Sequence, residues 1–143
     1  MYLVSACLVG MNCRYDGKDS PNEKVMELVK QGKAIPVCPE QLGGLATPRI
    51  CCEIVKGPDN RRVINKEGDD QTEEFLLGAE RTLAIVKALE IKKAIMKSRS
   101  PSCGCGQIYD GTFSGRLIPG NGLTVELLFQ NNIEIITEEE FYA

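Results

Sequence analysis

Apolar positions in this chain follow two rhythms that alternate along its length. Residues 2–6, 34–37, 94–97 and 133–136 are short apolar runs, too brief for helices and apolar enough to be strands buried on both faces. Between them the spacing lengthens to 3.6. Val25, Leu28 and Val29 make one helical stripe, ended by Gly32. Ser20 is expected to cap that helix, with Pro21 at its first position and Glu23 closing a capping box. Phe75, Ala79, Leu83, Val86 and Leu89 make a longer stripe over 71–90, capped by Asp70. A third helix is expected over 123–130, stopped by Asn131-Asn132, and a last helical turn over 138–142.

Two stretches fit neither rhythm. Residues 51–55 and 62–65 flank Gly57-Pro58-Asp59-Asn60 and predict a hairpin, exposed as a flap or an edge. Residues 104–122 read as a glycine-rich loop, too long for a plain connector and therefore expected to help cover a site. Pro36 argues against a central place for the second strand unless it falls in that strand's first residues. The order strand, helix, strand, hairpin, helix, strand, helix, strand predicts an α/β fold. It is a three-layer, Rossmann-like open sheet, mostly parallel, with a hairpin insertion. With 143 residues and no linker or repeat, residues 1–143 are expected to form a single domain.

Composition changes the picture at two points. The net charge of −3 excludes a strong field toward nucleic acid, so nucleic acid is not an expected partner. No run approaches a membrane span and the first residues lack the basic start of a signal peptide, so a cytoplasmic protein without membrane partners is expected. More decisive are seven cysteines and no histidine. In a reducing compartment that many thiols point to metal or redox chemistry rather than a disulfide frame. Without imidazole, proton transfer falls to carboxylates, hydroxyls, lysine, tyrosine or thiols.

Cys7, Cys38 and Cys103 each follow a predicted strand, so a parallel sheet would bring them to its C-terminal edge, where α/β sheets bind ligands. The spacing alone leaves three occupants open: an iron–sulfur cluster, zinc, or plain buried thiols. No Cys-x-x-Cys pair supports zinc. The loop Lys97-Ser98-Arg99-Ser100-Pro101-Ser102-Cys103-Gly104-Cys105-Gly106 concentrates serines, cations and thiols after the third strand and reads as a site loop. Glu40, two residues beyond Cys38, is the candidate acid–base carboxylate, its pKa raised by an apolar wall. Ser100 is the favoured hydroxyl. Arg14, Arg49, Lys97 and Arg99 are candidate phosphate ligands. Cys13, Cys51, Cys52 and Cys105 are expected to be spare or core thiols.

The phrases Val4-Ser5-Ala6-Cys7-Leu8-Val9-Gly10, Arg14-Tyr15-Asp16-Gly17, Val37-Cys38-Pro39-Glu40, Gly44-Leu45-Ala46-Thr47-Pro48-Arg49 and Lys97 to Gly104 together resemble the thiouracil desulfidase family, in order and over nearly the whole chain. Cys51-Cys52 departs from that family's pattern. The resemblance implies a [4Fe-4S] cluster held by three cysteines, matching Cys7, Cys38 and Cys103. Its fourth iron would be open to the sulfur of a thiolated pyrimidine or its nucleotide, and vulnerable to oxidation in an aerobically prepared crystal. It implies catalytic roles for Glu40 and Ser100 and substrate-binding roles for Arg14, Asp16, Arg49, Ser98 and Ser102. The expected reaction is non-redox hydrolysis of the carbon–sulfur bond, giving the uracil product and sulfide. The competing expectations are a non-enzymatic iron–sulfur protein, which a fourth ligand from Cys13 or Cys105 would favour, and a metal-free thiol carrier using Cys103 and Cys105.

Overall fold

The computed structural model describes residues 1–56 and 61–141. The expected hairpin loop at 57–60 and the last turn's Tyr142 lie outside the described residues. In chain order the strands are β1 (Tyr2–Ser5), β2 (Ala34–Val37), β3 (Cys52–Lys56), β4 (Arg61–Asn65), β5 (Lys93–Met96), β6 (Gln107–Tyr109), β7 (Leu117–Pro119) and β8 (Glu134–Thr137). The helices are α1 (Glu23–Lys30), α2 (Pro39–Leu42), α3 (Thr72–Ala88) and α4 (Leu123–Gln130).

The four apolar runs pair as one all-parallel sheet in the order β2-β1-β5-β8. Their alternation shows why both faces are apolar. Leu3, Ala94, Met96 and Ile135 point into one core with Val86 of α3 and Val125 and Leu128 of α4. Val4, Ile95 and Ala34 point into the other with Val25 of α1 and Phe141. Pro36 sits in β2, an edge strand, where a missing backbone donor costs little. The chain leaves β1 toward β2 and returns to pair β5 on the other side of β1. The crevice above the C-terminal ends of β1 and β5 is therefore the switch point of the sheet.

The local signals were shifted in places. Asn22, not Ser20, caps α1, accepting from the Val25 amide at 3.1 Å. The Ser20 and Asn22 amides are tied to the Cys7 and Leu8 carbonyls, and the Ser20 hydroxyl accepts from Arg14, which delays the helix start. At α3 the cap position is Gln71, while the Asp70 carboxylate accepts from the Thr72 amide at 2.8 Å. The expected hairpin is β3–β4, paired antiparallel. Two elements were not foreseen. One is α2, a single turn starting at Pro39. The other is the antiparallel pair β6–β7 inside the supposed loop 104–122.

Candidate active site

A cleft of about 560 Å³ opens above the C-terminal ends of β1, β2 and β5. Cys7 reaches it from a 3-10 turn (Ala6–Val9) that follows β1 directly. Cys38 reaches it as the residue capping α2. Cys103 reaches it from the loop after β5. Glu40, Ser100, Arg14, Arg49, Ser98 and Ser102 also line the cleft. Asp16 does not; its carboxylate pairs with Arg14 at 3.3 Å and accepts from the Lys18 amide.

The placement of Cys38 and Glu40 depends on two glycines. A Cβ on Gly43 would lie 1.9 Å from the Glu74 carbonyl oxygen, and one on Gly78 would lie 1.9 Å from that of Pro39. Only bare backbones allow α2 to seat so closely on α3. The Cys103 loop is fixed just as tightly. Ser100 Oγ accepts from the Ser102 and Cys103 amides at 3.1 and 2.8 Å. The Pro101 and Ser102 carbonyls accept from the first amides of α4, so the loop satisfies donors that a helix start leaves open.

Around Glu40 the hydrogen bonds have a direction. Ser102 Oγ donates to Glu40 Oε2 at 2.8 Å. A hydroxyl has one hydrogen, so the 3.0 Å contact between Ser102 Oγ and Ser100 Oγ is donated by Ser100. The result is a chain from Ser100 through Ser102 to the carboxylate. Arg49 holds the other carboxylate oxygen, with Nε and Nη2 each 3.1 Å from Oε1. The expected apolar wall is thus a guanidinium and a hydroxyl. Arg49 also donates to the Cys13 and Ala46 carbonyls and to Thr47, so all three of its nitrogens are engaged within the protein. Ser98 is likewise engaged: its hydroxyl donates to Glu138 at 2.5 Å, and Lys97 Nζ is 3.3 Å from the same oxygen.

The remaining thiols divide. Cys13 is buried and lines the cleft, and the Cys38 thiol donates to its backbone carbonyl at 3.7 Å. Cys51 and Cys52 line the cleft as well. Cys105 does not line this cleft; its thiol donates to the Ile135 carbonyl at 3.9 Å. Burial and neighbouring groups raise Cys13, Cys38, Cys52 and Cys103. Cys13 is pushed up to about 11: the Cys38 hydrogen bond lowers it, and the Cys7 thiol and burial outweigh that. Cys38 is raised further, first by its bond with Cys13 and then by burial. Burial pushes Cys103 up to about 12, outweighing the neighbouring Ser5 and Ser102 hydroxyls, which lower it. Burial, and then the Glu40 charge, push Cys52 to about 12.

Sequence reasoning missed Tyr15, Glu53, Lys66, Tyr109 and Phe113 on the cleft. They come from the loop after β1, from β3, from the residue after β4, from β6 and from the loop between β6 and β7. No local pattern in the chain marks those places as one surface.

Comparison with known proteins bears on the same cleft. The family model described as 2-thiouracil desulfurase matches residues 2–140. A protein of Bacillus subtilis (strain 168), named Uncharacterized protein YbbK, is 44% identical over 146 residues, covering 98% of this chain and 97% of that one. The solved structure of the [4Fe-4S]-dependent thiouracil desulfidase TudS is similar with a TM-score of 0.90 at 39% identity, covering 98% of this chain and 91% of that chain.

Proposed function

The chain belongs to the 2-thiouracil desulfurase family, and from that premise we propose that it is an iron–sulfur-dependent desulfidase acting on a thiolated uracil, free or as a nucleotide. The observation that carries this reading is that Cys7, Cys38 and Cys103 line one cleft together with Glu40. The donor set fits a [4Fe-4S] cluster. The thiols come from three separate elements, and soft thiolates without imidazole suit iron–sulfur ligation. When bound there, the cluster would supply a Lewis-acidic metal position for the thiocarbonyl sulfur.

The rest of the chemistry belongs to the chain. The ring carbon bearing sulfur is attacked by water, and Glu40 takes the proton. Arg49 keeps that carboxylate oriented through Oε1, and Ser102 holds Oε2. Glu40 then returns the proton to the departing sulfur. The balance is thiouracil plus water giving uracil plus hydrogen sulfide, with no electron transferred. Arg14 and Lys66 at the cleft are the cations through which a nucleotide phosphate would be held.

Reconstitution with iron and sulfide without oxygen should give a brown protein with broad violet absorption that releases sulfide from a thiouracil. A colourless protein that binds no iron refutes the proposal. A second reading is favoured by Cys13, a buried thiol on the same cleft whose carbonyl accepts from the Cys38 thiol. As a fourth ligand it would close the cluster and make the protein a redox module. Cys13→Ser protein that retains four irons and turns over excludes that reading.

A further inference from the structure

We propose that Phe113 is the platform on which the planar ring of the substrate stacks, and that Glu53 is the positioning residue that holds it there; this rests on the desulfidase reading above. The loop between β6 and β7 carries Phe113 to the cleft at φ +57°. For a bulky side chain the left-handed region is an outlier, kept only where the surroundings over-determine it. Here they do. Glu53 Oε1, from β3, accepts from the Gly111 amide at 2.9 Å and the Phe113 amide at 3.1 Å. Gly111 lies so near β3 that a Cβ would be 2.8 Å from the Ile54 carbonyl oxygen. Thr112 is bonded to Asp110 and Ser114 on either side, each at 2.6 Å.

None of these bonds uses the Phe113 ring. The segment Asp110-Gly111-Thr112-Phe113-Ser114-Gly115 is otherwise a polar turn with no need of an aromatic for its own folding. The chain has four phenylalanines. Phe75 and Phe141 fill the core, Phe129 lies exposed on α4, and Phe113 lines the cleft. A thiolated pyrimidine offers a polarised π-face, and an offset aromatic partner recognises it whichever carbon bears the sulfur. Glu53 does not touch the ring of the substrate in this scheme; it acts through the backbone of Phe113.

Steady-state kinetics and uracil calorimetry on the reconstituted holoprotein test the assignment. Phe113→Leu should raise KM for thiouracil about tenfold, the scale of a lost ring contact. It should weaken uracil binding by the same factor and leave kcat and iron content near wild type. Phe113→Tyr should restore both affinities. Glu53→Ala should reproduce the KM increase, and Glu53→Gln, which keeps an acceptor oxygen, should not. Phe113→Gly adopts positive φ without strain, so it should raise the melting temperature while lowering affinity, a pairing that a merely structural residue would not give. Wild-type KM and uracil affinity in Phe113→Leu overturn the platform, as does a loss confined to kcat. A wild-type holoprotein that releases no sulfide from any thiouracil overturns the desulfidase reading instead.

Discussion

Two hydroxyls two residues apart have different duties. Ser100 Oγ accepts two amides and gives its hydrogen to Ser102, so its lone pairs serve the loop that carries Cys103. Ser102 alone touches Glu40. Ser100→Ala should therefore leave buried amides unsatisfied, cost about 1–3 kcal/mol of stability and lower the iron retained after reconstitution. Ser102→Ala should retain iron yet slow turnover by about a hundredfold, the lower scale of general acid–base catalysis. Parallel iron analysis and kcat measurement separate the two; equal behaviour of both variants would dissolve the distinction. Glu40 was legible as a carboxylate near the thiols. Its partner Arg49 was read as a phosphate ligand, because a sequence shows that an arginine is present and not which carboxylate lies within its reach.

At the scale of elements, the seat of α2 on α3 decides where Cys38 and Glu40 stand. Gly78→Ala puts a methyl into the Pro39 carbonyl, and backbone on both sides cannot move aside cheaply. We expect a loss of about 1–3 kcal/mol from overpacking and a fall in iron content, although Gly78 touches no proposed ligand thiol. Urea unfolding and iron analysis check this; unchanged values in both would show that α2 tolerates displacement. The start of α3 has an electrostatic counterpart. Asp70 is lowered to about 2 by its hydrogen bonds to the Thr72 side chain and amide and then by Arg62. Because the folded value is depressed, its contribution is complete above the usual carboxylate range near 4 and disappears as pH falls toward 2. Asp70→Asn should flatten that part of the stability profile, a small effect because the ion pair is exposed. Melting temperatures of both proteins between pH 2 and 5 test it, and parallel profiles would remove Asp70 from the account.

For the molecule as a whole, a group bound only by the folded chain stabilises the fold, and ligands distant in sequence tie its parts together. Reconstituted protein should melt several degrees above the iron-free form, at about 2–4 °C for each kcal/mol of binding linkage. Cys38→Ser should abolish that rise and Cys51→Ser should preserve it. An equal rise in the Cys38 variant would count against the ligand set. What the amino-acid order determined by itself was the periodic part: four buried strands, three of the helices, the β3–β4 hairpin and the parallel sheet that carries residues 7, 38 and 103 to one edge. Those follow from alternation and spacing, which are local and repeat over several residues. Only the tertiary structure decided the rest. The one-turn helix α2 and the short pair β6–β7 carry too few residues for a periodic signal and exist because of what they pack against. Cys13 joined the thiols, and Glu53 and Phe113 entered the cleft. Each of these is a contact between segments whose separation along the chain carries no mark of their nearness in space.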